Sequence, residues 1–172
     1  MMAVGFMAIL PSCGIFGPSE PSEVALAASP ETGIYISINT IMGKSGRSIH
    51  SCDGYFLSIK DGKAKSYLPF FGEVYYTVGY GTSPGIVFED CPVEVREVIR
   101  KNTKAYEFVG TMSGEQIHVY FEYGESGNAT ITCNSDRRSM MRYMGEVVEF
   151  PEEPESSADN LVDYIKNKKA AK

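Results

Sequence analysis

The stretch Ile34-Tyr35-Ile36-Ser37-Ile38-Asn39-Thr40 alternates strictly, and a period of two is the pattern of a strand with one buried face. Ile34, Ile36 and Ile38 point one way, and Tyr35, Ser37 and Asn39 the other. The pattern returns in Tyr55–Lys60, where Tyr55, Leu57 and Ile59 share a face, and in Ile117–Tyr123, where Ile117, Val119, Phe121 and Tyr123 do. Asp61-Gly62 lies between Lys60 and Lys63 and predicts a two-residue hairpin turn, because both residues tolerate positive φ. Further strands are predicted at Lys63–Leu68, Val74–Val78, Ile86–Phe88, Val93–Arg100 (with a bulge), Tyr106–Phe108, Ala129–Cys133 and Met140–Val148. Met42–Asp53 and Gly79–Gly85 read as loops. Close turns between short strands favour antiparallel pairing. The fold expected is all-β, an antiparallel sandwich or small barrel of about eight to nine strands with a C-terminal helix.

The flanks differ from this body. Met1–Leu10 is apolar, uncharged and too short to span a bilayer, which suits the core of a signal peptide over residues 1–12. No Lys or Arg precedes Cys13, so the positive start of such a signal is missing and it reads as truncated. Leu10-Pro11-Ser12-Cys13 resembles the bacterial lipobox, in which the cysteine is lipidated and holds a soluble domain at a membrane. Residues 13–30, with Pro18, Pro21 and Pro30 among Ser, Glu and Ala, are expected to form a flexible tether. The β domain then covers 31–150. Residues 151–155 form an acidic linker. Residues 156–169 form a helix capped by Ser156, with Ala158, Leu161, Val162 and Ile165 as its apolar stripe. The lipid anchor implies an outer-membrane lipoprotein of the cell envelope.

Charge and cysteine use narrow the function. The formal net charge is −6, the wrong sign for a nucleic-acid surface. Cys52, Cys91 and Cys133 show no Cys-x-x-Cys spacing, and only His50 and His118 could add imidazole, so no metal site is expected. An exported location permits a disulfide among the three. The two histidines lack a nucleophile and an orienting acid in motif context, so no catalytic residue and no cofactor is assigned.

The densest aromatic run is Ser66-Tyr67-Leu68-Pro69-Phe70-Phe71-Gly72. Tyr67, Pro69, Phe70 and Phe71, with Tyr75 and Tyr80, are the candidates to line a ligand site or the core. Arg137 and Arg138 are the candidates to contact an anionic partner. The run, together with Gly54-Tyr55, Gly85-Ile86-Val87-Phe88, Asn128-Ala129-Thr130-Ile131, and Arg138 followed by Tyr143 and Gly145, resembles the DUF4251 family of small exported lipoproteins from Gram-negative gut anaerobes. That family has Tyr where this chain has Phe70. The resemblance implies an exported β-rich domain and transfers no catalytic residue. The function expected is a non-enzymatic envelope module that binds a small apolar ligand, a glycan or a protein. An assembly component of an envelope complex and an unrecognised hydrolase are the alternatives.

Overall fold

A computed structural model describes residues 20–42, 48–50, 54–75 and 85–151. Among the described residues the elements are a short helix α1 (Glu23–Ala27) and ten strands. These are β1 (Ile34–Met42), β2 (Ser48–His50), β3 (Phe56–Lys60), β4 (Lys63–Pro69), β5 (Gly85–Pro92), β6 (Arg96–Val98), β7 (Lys104–Met112), β8 (Glu115–Tyr123), β9 (Asn128–Asn134) and β10 (Met141–Val147). All belong to one antiparallel sheet in the order β5-β4-β3-β1-β10-β9-β8-β7-β6, with β2 beside β1. The all-β expectation holds. Of the two arrangements expected, sandwich or small barrel, the described strands form a single sheet curled into a half-barrel. The C-terminal helix expected at 156–169 and most of the linker before it lie outside the described residues.

Alternation decides which face turns inward. Ile36, Leu57, Leu68, Phe121, Ile131 and Tyr143 are essentially inaccessible and fill the concave side. The turns behave as their residues dictate. Asp61 and Gly62 both have positive φ, as do Ser113 and Gly114 in the β7–β8 hairpin. Two register shifts bend the sheet. One lies between Ile38 and Thr40 on β1, the other between Ala64 and Ser66 on β4, where Asp90 on β5 takes a left-handed φ of 50°. The curl brings β5 against β7 without backbone pairing. Phe88 packs edge-on to Phe108 and lies over Gly110, where a Cβ would stand 2.6 Å from the Phe88 ring.

Residues 20–30 correct one expectation. They form no free tether, because α1 is docked at the end of the barrel where β8 finishes. Ser22 caps the helix, and its own N–H donates to the Glu125 carbonyl at 2.7 Å. Lys104 Nζ donates to the carbonyls of Ala25, Leu26 and Ala28 at 3.3, 2.8 and 3.0 Å. Tyr123 Oη donates to Ala28 O at 2.8 Å. A five-residue helix cannot stand by itself. Here its orphan carbonyls are met by a lysine distant in sequence, which local composition cannot reveal.

Gly145 carries a testable consequence. It lies on β10 beside the β1 bulge, and a Cβ there would run into the Ser37 carbonyl oxygen. Gly145→Ala is expected to destabilise the protein by about 3 kcal/mol and to lower its urea midpoint by more than about 1 M. An unchanged midpoint would mean that the β1–β10 packing described here is wrong.

Candidate functional site

The opposite end of the barrel is built around an acid that faces inward. Glu115 opens β8 in phase with Ile117, Val119 and Phe121, so alternation alone sends it to the core side. Its carboxylate is buried, and a buried charge requires a partner. Arg138, only 7% exposed, donates from Nε to Glu115 Oε2 at 2.9 Å and to Oε1 at 3.2 Å. Ser135 Oγ donates to Oε1 at 2.6 Å and accepts the N–H groups of Arg137 and Arg138. Arg138 Nη1 reaches the Gly85 carbonyl at 3.5 Å, and the guanidinium lies over the Phe70 ring at 5.4 Å.

The aromatic run is fastened to this core. Ser66 faces inward and bridges the β4–β5 irregularity: its Oγ donates to Ile86 O at 3.1 Å and accepts from Phe88 N–H at 3.2 Å. Leu68 is fully buried. Pro69 has no N–H to offer a ladder, but its carbonyl accepts from Tyr143 Oη at 2.8 Å. Gly72 passes so close to Ser139 that no side chain fits between them. Ser139 then clamps the next residue twice. Its Oγ accepts from Glu73 N–H and its N–H donates to Glu73 O, each at 2.9 Å. Val74 forms a bridge with Arg138, and Tyr75 N–H donates to Arg137 O at 2.8 Å.

The candidate residues therefore divide. Pro69 and Phe70 are half-buried and belong to the fastening. Tyr67, Phe71 and Tyr75 are 52%, 58% and 51% exposed, and Val74 joins them at 51%. They line neither the core nor the surface pockets at the α1 end, on β7–β9 or beside β5. Tyr67 stacks on Tyr55 at 5.4 Å. Of the two candidates for an anionic partner, Arg138 is buried and its guanidinium is taken by Glu115, while Arg137 is half-buried. Cys13, Cys52 and Tyr80 lie outside the described residues. Of the expected Val74–Val78 strand, Val74 and Tyr75 are described, and Val74 forms an isolated bridge with Arg138; residues 76–78 lie outside the described residues.

Glu115, Ser135, Ser139 and the hydroxyl of Tyr143 were not singled out from sequence. The inward phase of Glu115 was the available signal. Burial pushes the Tyr143 hydroxyl well above its ordinary value, so it stays a donor to Pro69. Burial likewise pushes the Cys133 thiol up to about 12, and both Cys91 and Cys133 are free.

Residues 30–147 match the family model described as a domain of unknown function, DUF4251. The chain belongs to the DUF4251 family. A crystal structure of a DUF4251 family protein from Bacteroides eggerthii DSM 20697 is similar to it, with a TM-score of 0.54 and 18% identity over 73% of this chain and 85% of that one. That likeness shows the shared fold. No curated protein matches. Of the DUF4251 elements quoted above, Ser66–Gly72, Gly85, Phe88, Arg138 and Tyr143 meet at one end of the barrel.

Removing one member of the buried pair strands the other. Glu115→Gln is expected to cost about 3 kcal/mol, and Glu115→Leu with Arg138→Met less than the sum of the two single changes, both read from urea unfolding. Additive losses, or a loss under about 1 kcal/mol for the single variant, would contradict the pairing.

Proposed function

We propose that this DUF4251 domain is a lipid-anchored, non-catalytic contact module of the outer membrane. In this reading Tyr67, Phe71, Val74 and Tyr75 form the surface that meets a protein partner. One observation carries the reading: four large apolar side chains stand half exposed on a segment bonded to the barrel from both sides. Exposed apolar patches of this kind mark interaction sites. Tyr and Phe are enriched in the cores of protein interfaces, and a segment already fixed in place loses little entropy on binding.

A protein partner suits this surface better than a small apolar ligand, because the rings stand outward instead of enclosing a cavity. Catalysis is not part of the reading. The polar groups gathered at this end are consumed in bonds to backbone and to each other: Ser66, Ser139 and Tyr143 hold the aromatic segment, and Arg138 holds Glu115. The anchor rests on the Leu10-Pro11-Ser12-Cys13 sequence, with Cys13 carrying the lipid.

The test is made in the native envelope. A photo-crosslinking residue in place of Phe71 is expected to give one discrete protein adduct, reduced about tenfold by Tyr67→Ser and Tyr75→Ser together. Cys13→Ser should move the protein out of the membrane fraction. If position 71 yields no adduct, the contact surface lies elsewhere; if the Cys13 variant still sediments with membranes, the anchor is wrong.

A further inference from the structure

The outer face of β6–β9 carries a second arrangement, separate from the aromatic end. Pairing register places Arg96, Glu107 and Tyr120 in one row across three strands, and Val109, His118 and Asn134 in the next. Side chains in neighbouring rows of one face lie within reach of a common ligand. They border a groove of about 570 Å³, within the size range of small-ligand sites. Glu94, from the β5–β6 connection, adds to its rim and faces Arg96 at 3.6 Å.

The chemistry of the lining is mixed in a particular way. Glu107 accepts only, Arg96 donates only, and His118 and Asn134 each offer both functions. The side chains of Glu107, His118 and Asn134 make no hydrogen bond or ion pair with another described residue, so these functions are open. Tyr120 is held by its hydroxyl, which donates to Glu122 Oε2 at 2.6 Å and accepts from Arg100 Nε at 3.2 Å, so its ring is fixed in place. Val109, 44% exposed, supplies an apolar surface beside it.

We infer that this groove binds a neutral oligosaccharide. Sugar hydroxyls are donors and acceptors together and need planar polar groups of both kinds. The carbon–hydrogen faces of the rings need an apolar or aromatic surface. Arg96 is offset by Glu94, and Arg100, whose guanidinium lies over one face of the Tyr120 ring, is offset by Glu122; with Glu107 added there is no excess of positive charge to hold a polyanion. Apolar surface from Val109, Val119 and Tyr120 lies among polar groups of both kinds, a mixture that does not suit a purely apolar ligand.

Calorimetric titration of the full-length protein with cellohexaose, maltohexaose and chitohexaose tests the inference. Saturable binding of at least one is expected, and His118→Ala and Asn134→Ala should each weaken it about five- to tenfold. Both residues are exposed, so circular dichroism should show an unaltered fold. Phe71→Ser should leave sugar binding unchanged, which separates this site from the proposed protein contact. Absence of saturable binding to all three sugars, or binding that survives both alanine changes, would overturn it. Loss on Phe71→Ser alone would place the sugar at the barrel end and overturn it equally.

Discussion

The buried pair of Glu115 and Arg138 is the constraint from which the aromatic end of the molecule follows. A carboxylate brought inside by strand alternation must find a cation, and the cation must come from a segment that can enter the barrel mouth. Arg138 does so from the β9–β10 connection. Its own backbone then bridges Val74, and the next residue, Ser139, clamps Glu73 from both sides. Charge neutralisation in the interior thus fixes a loop on the surface. The pair need not add net stability to have this effect; its consequence is that only one position of the loop leaves no stranded charge.

The two ends of the barrel are closed by different chemistry. At one, Lys104 and Tyr123 hold a helix too short to persist alone. At the other, the acid–guanidinium pair sits beneath Phe70. Between them the described strands leave the sheet open in its ladder hydrogen bonding, and β5 approaches β7 through side chains: Phe88 is seated over Gly110, and the Val87 N–H donates to Met112 Sδ at 3.2 Å. Each closure joins residues far apart in sequence: Lys104 to Ala25, Glu115 to Arg138, Tyr143 to Pro69 and Phe88 to Gly110.

That distance sets what could be read before folding was considered. Strands and their faces were legible, because alternation is local: Ile34, Ile36 and Ile38 are buried, as are Ile117, Val119, Phe121 and Tyr123. The Asp61-Gly62 turn was legible for the same reason. The facing of the aromatic run was also available. Ala64, Ser66 and Leu68 alternate inward, which turns Tyr67 outward. Aromatic density alone left a ligand site and the core both open. Sandwich or barrel was not legible, since curl depends on two bulges and a glycine contact across the sheet. Nor was α1, whose proline- and serine-rich surroundings match a tether in every local respect. Arg138 was a candidate for an external anion, and its actual anionic partner is the inward-facing Glu115.

Native-state hydrogen exchange of the amides of Glu73, Tyr75 and Ser139 measures most directly whether the aromatic segment is fastened. These amides donate to Ser139 Oγ, Arg137 O and Glu73 O, so they are expected to exchange slowly, close to the rates of core strand amides such as Phe121. Rapid exchange at all three, with the core amides still protected, would show a loop that hangs free of the barrel and would contradict the account.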